Sequence, residues 1–213
     1  MTKLTRRKAL GVLAAPATLA ATAPVAMAQQ PAPSFTLLLL NDIYKMSDDK
    51  GRGGFARASG IAKAERARGV PVLFCHAGDC YSPSLMSGFD QGAHIVAMQN
   101  KMGIDVFVPG NHEFDFGKEN YLKLTAAQTY PTFAANLRDA AGNVLPRHKD
   151  SQIFELGGIK VGVIGTAFDQ TPLVSFPGDL KFSSTMEALR REAKALKGQG
   201  ADILVAVVHA DRA

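Results

Sequence analysis

The sequence predicts an α/β domain, a sandwich of mixed β-sheets flanked by helices. Short apolar runs alternate along the chain with longer segments of helical periodicity, which is typical of sheets covered by helices. Two apolar runs flank the pair Gly157-Gly158, which indicates a tight hairpin and adds an antiparallel element. With 213 residues, 46% of them hydrophobic, the chain can build one domain with a packed core. This composition excludes a disordered or collagen-like chain.

The first half of the domain contains three predicted strands and two predicted helices. Residues 35–40 form a continuous apolar run, as expected of a strand buried on both faces. Residues 55–68 have helical periodicity, and residues 70–75 form the next apolar strand. A second helix is predicted over residues 93–102, with Ile95, Met98 and Met102 on one face, and a short strand over residues 106–108.

The second half continues the alternation. The predicted elements are a helix over residues 117–127 and strands over residues 132–135, 153–156, 160–164 and 203–208. Ser184 opens the capping box Ser-Thr-Met-Glu, which predicts a helix from this point to about Lys197. No apolar run after the N-terminal segment is long enough for a membrane span.

The N-terminal residues 1–28 have the features of an export signal. A charged segment with the pair Arg6-Arg7 precedes an Ala-rich stretch, and Ala26-Met27-Ala28 is a small-x-small cleavage site. This pattern resembles a twin-arginine signal peptide, which implies the Tat translocase as a partner. A Sec signal with a chance Arg-Arg pair is the alternative, and both predict a periplasmic or secreted protein. Residues 29–34 then form a Pro-rich linker.

The positive charge of the sequence belongs to this leader. The formal charge is +5, but the leader contains Lys3, Arg6, Arg7 and Lys8 and no acidic residue. The mature chain is therefore nearly neutral, and its composition gives no argument for a nucleic-acid polymer as partner.

The two cysteines, Cys75 and Cys80, are predicted to be buried free thiols. Cys75 lies in a strand-like run and Cys80 beyond its end, and a strand advances about 3.3 Å per residue. A disulfide would require the loop to fold back on the strand.

Polar side chains follow four of the predicted strands at their carboxyl ends. These residues are Asp42, Asp79, Asn111, His112 and His209. In an α/β sheet these ends share one edge, where sites form, so we expect the five side chains to converge there. Oxygen and nitrogen ligands without a thiolate pattern suit Zn, Mn, Fe or Mg. The alternatives are a capping role for Asp42 and a structural role for His209.

Five motifs in this order resemble the 5′-nucleotidase family of the calcineurin-like metallophosphoesterases. They are Leu40-Asn41-Asp42, Gly53-Gly54-Phe55-Ala56-Arg57, Gly78-Asp79, Gly110-Asn111-His112-Glu113-Phe114-Asp115 and Ala134-Ala135-Asn136. The fourth motif is highly specific, and the resemblance covers residues 35–213. It implies a metallophosphoesterase domain that hydrolyses phosphate monoesters of nucleotides with water activated by two divalent or trivalent ions, Zn, Mn or Fe.

The resemblance also implies a role for each matching residue. Asp42 would bind the first metal, Asp79 would bridge both metals, and Asn111 and His209 would bind the second. Asn111 and His112 would contact the substrate.

His112 would be the catalytic histidine, oriented by Asp115. Gly78 and Gly110, which lie beside the ligands, would let the backbone approach the metals and the substrate closely. Glu113 and Phe114 are predicted to be structural. Three further histidines are assigned to no site: His76, His94 and His148, the last in a polar loop.

Two departures from the family pattern suggest a second hypothesis. Tyr44 stands where the family has a histidine ligand, so it is a candidate phenolate ligand for iron, or its place is taken by water. The family's Gly-His-x-His motif does not occur before Ala213, from which we expect a fragment of a longer protein whose fold is incomplete at the C-terminus. The alternative to an enzyme is therefore a truncated or degenerate relative that binds a metal or nucleotide without turnover. A plain nucleotide-binding module is disfavoured because no Gly-rich phosphate loop follows the first strand.

Overall fold

The computed structural model describes residues 34–48 and 50–210. The predicted leader and most of the predicted linker lie outside the described residues. The strands are β1 (Thr36–Leu40), β2 (Val72–His76), β3 (Val106–Phe107), β4 (Thr132–Phe133), β5 (Leu137–Arg138), β6 (His148–Lys149), β7 (Ser151–Leu156), β8 (Ile159–Thr166), β9 (Lys181–Phe182) and β10 (Ile203–Val208). The helices are α1 (Phe55–Ala67), α2 (Ser87–Asp90), α3 (Ala93–Gln99), α4 (Gly117–Ala127), α5 (Thr171–Val174) and α6 (Thr185–Gly198), with a 3₁₀ turn at His112–Phe114.

Two sheets make up the centre of the domain. The first has five parallel strands in the order β1-β2-β3-β4-β6. The second has the order β10-β8-β7, with β10 parallel and β7 antiparallel to β8. Gly157 and Gly158 both have positive φ, and they connect β7 to β8 as the predicted hairpin turn. A small antiparallel pair joins β5 to β9.

The sheets and helices form four layers. Leu73 and Cys75 of β2 pack with Val161 and Val163 of β8 in the core between the two sheets. Side chains alternate between the faces of a strand, so Phe74 of β2 points the other way and packs with residues of α1, α3 and α4. Helix α6 covers the outer face of the second sheet through residues such as Ala188 and Leu196. The predicted α/β sandwich is confirmed.

The edge strand β1 differs from its prediction. Leu37 and Leu39 are 45% and 62% exposed, so the expectation that this strand is buried on both faces was wrong. Leu38 and Leu40 pack on the helix side of the sheet, as expected. β1 pairs only with β2, and within the described part of the chain the opposite face of β1 is not covered.

Short elements account for most other differences. The prediction missed α2, α5, β5, β6 and β9, because elements of two to four residues carry no periodicity that a sequence pattern can show. His148 was expected in a polar loop but lies in β6, where it is buried. Its ring is held between the Tyr121 hydroxyl and the carbonyl of Pro146, which satisfy both nitrogens.

Both cysteines are buried and unpaired, as predicted. Among the described residues, every helix is too short or too polar to span a membrane.

Candidate active site

The five predicted strand-end residues line one cavity. Asp42, Asp79, Asn111, His112 and His209 surround a space of about 430 Å³. The first four follow β1, β2 and β3 of the first sheet, and His209 follows β10 of the second. The expectation of a single sheet edge was therefore too narrow, because the carboxyl ends of strands in both sheets meet at this cavity.

Asp79 and His209 are in direct contact across the two sheets. His209 Nε2 lies 3.2 Å from Asp79 Oδ2, and both side chains are largely buried. The Ala77 carbonyl lies 2.6 Å from His209 Nδ1, and a carbonyl can only accept, so Nδ1 carries a proton and Nε2 points into the site. Burial lowers the pKa of His209, but the Asp79 carboxylate outweighs burial and raises this pKa to about 9.

The backbone around Asp79 needs glycines to bring the loops together. Asp79 itself has a φ of 56°, in the left-handed region. A Cβ on Gly110 would lie 2.1 Å from Asp79 Oδ1, and a Cβ on Gly78 would lie 2.3 Å from the Gly110 nitrogen. Glycine at both positions thus allows the two loops to approach each other closely.

Glu113 holds together the same two loops, which follow β2 and β3, through hydrogen bonds to their backbone. Its fully buried carboxylate accepts hydrogen bonds from the backbone N–H groups of Asp79 and Cys80, each at 2.8 Å, and of Gly110 at 2.6 Å. Tyr81 N–H and the Cys80 thiol complete the set of donors. Glu113 does not line the cavity, and its contacts are those of a structural residue.

His112 and Asp115 form a hydrogen-bonded pair at the rim of the cavity. His112 Nδ1 lies 2.6 Å from Asp115 Oδ2, and the His112 backbone N–H donates to Asp79 Oδ1. Burial lowers the pKa of His112, but the bond to Asp115 and the nearby Asp79 charge more than compensate and raise it. The pair leaves Nε2 as the ring nitrogen available to a ligand in the cavity.

Asp42 is exposed, and both its backbone N–H and its carboxylate form hydrogen bonds. Its backbone N–H donates to the Gly78 carbonyl, which ties the end of β1 to the end of β2. The Tyr44 hydroxyl donates to Asp42 Oδ1 at 3.0 Å, and the Tyr44 ring meets the His112 ring edge-on. Burial and the Asp79 and Asp42 carboxylates raise the pKa of Tyr44, so the phenol is neutral here.

The donor set fits a metal centre of oxygen and imidazole ligands. His209 presents a fixed nitrogen and Asp79 a carboxylate, and the glycine backbone at 110 leaves room beside both. Within residues 34–48 and 50–210, no three His, Cys, Asp or Glu side chains lie close enough together to form a ready-made ligand group. An ion bound by both residues would replace the direct contact between Asp79 and His209.

Three neighbouring features were not predicted from the sequence. Ser82 and Ser175 both donate to Asp115, and the Phe168 ring meets the His209 ring edge-on. Ser175 and Asp115 are 60 residues apart in the sequence. No local motif marks a contact between residues so far apart. His76, which is assigned to no site from the sequence, is fully buried, and its Nδ1 accepts from the Gly78 N–H.

The fold and the motif order define a known family. The family model "Calcineurin-like phosphoesterase" matches residues 35–212, so the chain belongs to the calcineurin-like phosphoesterase family. The chain is 32% identical over 194 residues to a snake venom 5′-nucleotidase of Gloydius brevicauda, an alignment that covers 82% of this chain and 32% of that protein. It is 30% identical over 189 residues to a 5′-nucleotidase of Diplobatis ommata, with 82% and 33% covered.

A solved structure shows the same fold. The NAD nucleotidase of Haemophilus influenzae superposes with a TM-score of 0.73 at 28% identity, over 81% of this chain and 34% of that one. The chain thus spans about a third of the length of the relatives that it matches.

Proposed function

We propose that this protein is an exported, metal-dependent phosphoesterase of the 5′-nucleotidase type. The observation that carries the proposal is the cavity in which the His112–Asp115 pair faces Asp79 and His209. An imidazole held by a carboxylate, next to a set of oxygen and nitrogen ligands, suits transfer of a phosphoryl group to water. The names of the relatives from Gloydius brevicauda and Diplobatis ommata agree with this reaction class.

The proposed metal ligands are four of the residues that line the cavity. Asp42, Asp79, Asn111 and His209 would hold two divalent or trivalent ions, of which Zn, Mn and Fe suit these ligands. When bound, such ions neutralise phosphate charge and activate the attacking water. Because the Tyr44 phenol donates to Asp42, Tyr44 is better assigned to orienting Asp42 than to binding iron as a phenolate.

The chain's own residues supply proton transfer and orientation. Asp115 accepts from His112 Nδ1 and fixes the imidazole plane, so that Nε2 faces the substrate. From Nε2 the ring donates a hydrogen bond to a phosphate oxygen or a proton to the leaving alkoxide. Asn111, which also lines the cavity, would contact the phosphate as well.

The substrate class and the location follow from separate arguments. A nucleoside monophosphate is the proposed substrate, by analogy with the nucleotidase relatives. The export signal predicted in residues 1–28 and the venom origin of one relative support a periplasmic or secreted protein.

Phosphate release from AMP by the full-length protein tests the proposal. The protein is stripped with a chelator and then assayed with Mn²⁺, Zn²⁺ or Fe²⁺ added singly. We expect release that depends on added metal and is abolished in Asp79→Asn, because an amide cannot neutralise two cations. Turnover of Asp79→Asn within threefold of wild type at saturating metal would contradict the bridging role.

A second function is a relative that binds metal or nucleotide without turnover. The observation that favours it is the Tyr44 phenol, which donates a hydrogen bond to Asp42. Tyr44 stands where the family pattern has a histidine ligand. Tight AMP binding by calorimetry, with no phosphate release under any of the three metals, would support this second function over the first.

A further inference from the structure

Asp115 accepts hydrogen bonds from three different parts of the chain. Oδ2 accepts from His112 Nδ1 and from the Ser82 hydroxyl, both at 2.6 Å, while Oδ1 accepts from the Ser175 hydroxyl at 2.7 Å. A carboxylate has no proton to give, so both serines act as donors. Ser82 belongs to the loop after β2, and Ser175 directly follows helix α5.

The Ser175 contact is the one that fixes the second oxygen. The terminal torsion of an aspartate is broad, so the plane of its carboxylate is set by the groups that contact it. His112 and Ser82 both contact Asp115 Oδ2. Without the Ser175 donor on Oδ1, these two contacts leave the carboxylate free to turn about its Cβ–Cγ bond. A donor on Oδ1 therefore decides how Asp115 presents Oδ2 to the imidazole.

The segment that carries Ser175 contacts His209 at one end and Asp115, the partner of His112, at the other. Phe168 lies at its beginning and meets the His209 ring at 5.9 Å, and Ser175 lies at its end against Asp115. Thr171 anchors the segment between them, since its hydroxyl donates to the Phe168 carbonyl and its own carbonyl accepts from the Ser175 N–H. The Ser175 backbone, from which the hydroxyl reaches Asp115, is thus held by contacts of the same segment.

We propose that Ser175 is a positioning residue, which orients Asp115 and through it the His112 imidazole. The inference rests on the proposed phosphoesterase function. Ser175 does not line the cavity and so is not assigned to substrate or metal. Its backbone is extended, with φ −150° and ψ −167°, a conformation that a threonine also adopts, so Ser175→Thr retains the hydroxyl without strain.

A double-mutant cycle in the full-length protein tests the proposal. We expect Ser175→Ala to lower kcat for AMP about tenfold, the loss typical of one hydrogen bond to a charged group, with KM little changed. Ser175→Thr should recover the rate to within about twofold of wild type. In the Asp115→Asn background, Ser175→Ala should have almost no further effect, because residues that act through one another are non-additive.

Ser84→Ala is the matched control, since Ser84 is half-buried nearby and bonds to Ser87 instead of Asp115. This variant should keep the wild-type kcat. The proposal is overturned if Ser175→Ala stays within twofold of wild type, or if it costs the same factor in the wild-type and Asp115→Asn backgrounds. A merely structural role would give that additive result.

Failure of the proposed function is distinguishable from failure of this inference. If the wild type releases no phosphate, the function is refuted, and ¹⁵N NMR of selectively labelled histidine still tests Ser175. We expect His112 to carry its proton on Nδ1 in the wild type and the fraction of this tautomer to fall in Ser175→Ala. An unchanged tautomer fraction in Ser175→Ala overturns the positioning role.

Discussion

Asp79 and Glu113 are neighbouring buried carboxylates with opposite electrostatic behaviour. Burial raises the pKa of Asp79, but the His209 ring and the His112 N–H outweigh burial and hold this pKa below its usual value. Burial and the Asp79 charge raise the pKa of Glu113 in spite of its backbone donors. The lowered pKa favours the ionised form of Asp79, the carboxylate that faces the cavity, and this is the form that a metal ligand needs.

We predict that His112→Asn lowers turnover of AMP while both metals stay bound. His112 is assigned to the phosphate and the leaving group, and losing such a group costs about 10²–10⁴-fold in rate. The loss should be smaller for nitrophenyl phosphate, because a good leaving group needs less protonation. Steady-state kinetics and metal analysis of the purified variant check this. Loss of metal together with activity would show instead that His112 is a ligand.

At the scale of single residues, sequence patterns predicted what lies at strand ends and missed what long loops bring in. Asp79 and His209 became candidates because His209 directly follows an apolar run and Asp79 lies four residues after one. The Ser175–Asp115 contact could not be found, since it depends on how the segment after β8 folds back over the 3₁₀ turn. A sequence pattern could not predict the direct Asp79–His209 contact either, because the two residues follow strands of different sheets.

At the scale of elements, the long helices, the hairpin and the strands at the centre of the sheets were predictable, and most of the shortest elements were not. Helix α6 begins at the predicted capping box, where the Ser184 side chain accepts from the Glu187 N–H. Strand β2 begins two residues later than expected, directly after Pro71. Proline has no backbone N–H that could donate a hydrogen bond to a neighbouring strand. The short strands β3 and β4 were predicted from their apolar runs, whereas the two-residue strand β6 is defined by its pairing with β4, which a local pattern does not contain.

We predict that Glu113→Ala destabilises the domain by about 3 kcal/mol or more. The change leaves the backbone N–H groups of Asp79, Cys80 and Gly110 buried without an acceptor, and each such group costs about 1–3 kcal/mol. Urea unfolding followed by circular dichroism measures the loss. Glu119→Ala on α4 is the control, because its side chain is exposed and its removal should change stability by less than about 0.5 kcal/mol. Equal effects of the two changes would contradict the bracing role of Glu113.

We predict an acid-sensitive contact between helix α4 and strand β6 at His148. Burial lowers the pKa of His148 to about 4 from its ordinary 6.5. The unfolded chain therefore binds more protons than the folded one between these values. The His148 contribution to stability is complete above pH 6.5 and disappears as the pH falls toward 4, and it amounts to about 3 kcal/mol at most.

Urea unfolding of His148→Gln at pH 4.5 and pH 7.5 checks this contribution. Glutamine can replace part of the hydrogen bonding to Tyr121 but does not titrate, so the loss of stability between the two pH values should shrink. Lys149→Gln is the control, because it makes the same substitution at the exposed neighbour. Unchanged pH dependence in His148→Gln would show that the buried ring does not control acid unfolding.

At the scale of the whole molecule, the candidate metal site lies where the two sheets meet. Asp42, Asp79 and Asn111 follow strands of the first sheet, whereas His209 follows the second. An ion at this site would replace the direct contact that Asp79 makes with His209 across the two sheets. Metal binding should therefore stabilise the folded domain as a whole and not one loop alone.

We predict that Mn²⁺ or Zn²⁺ raises Tm of the chelator-treated protein. A ligand that binds only the folded state adds about 2.7 kcal/mol at 100 times its Kd, which for a domain of this size corresponds to about 5–10 °C. Differential scanning calorimetry measures the shift. The shift should be lost in Asp79→Asn, since the amide cannot offset the charge of the ions. It should persist in Asp179→Asn, because Asp179 is exposed, pairs with Lys118 and does not line the cavity. If Tm rises equally in wild type and Asp79→Asn, the metal binds elsewhere on the folded protein, and the assignment of this cavity as the metal site is wrong.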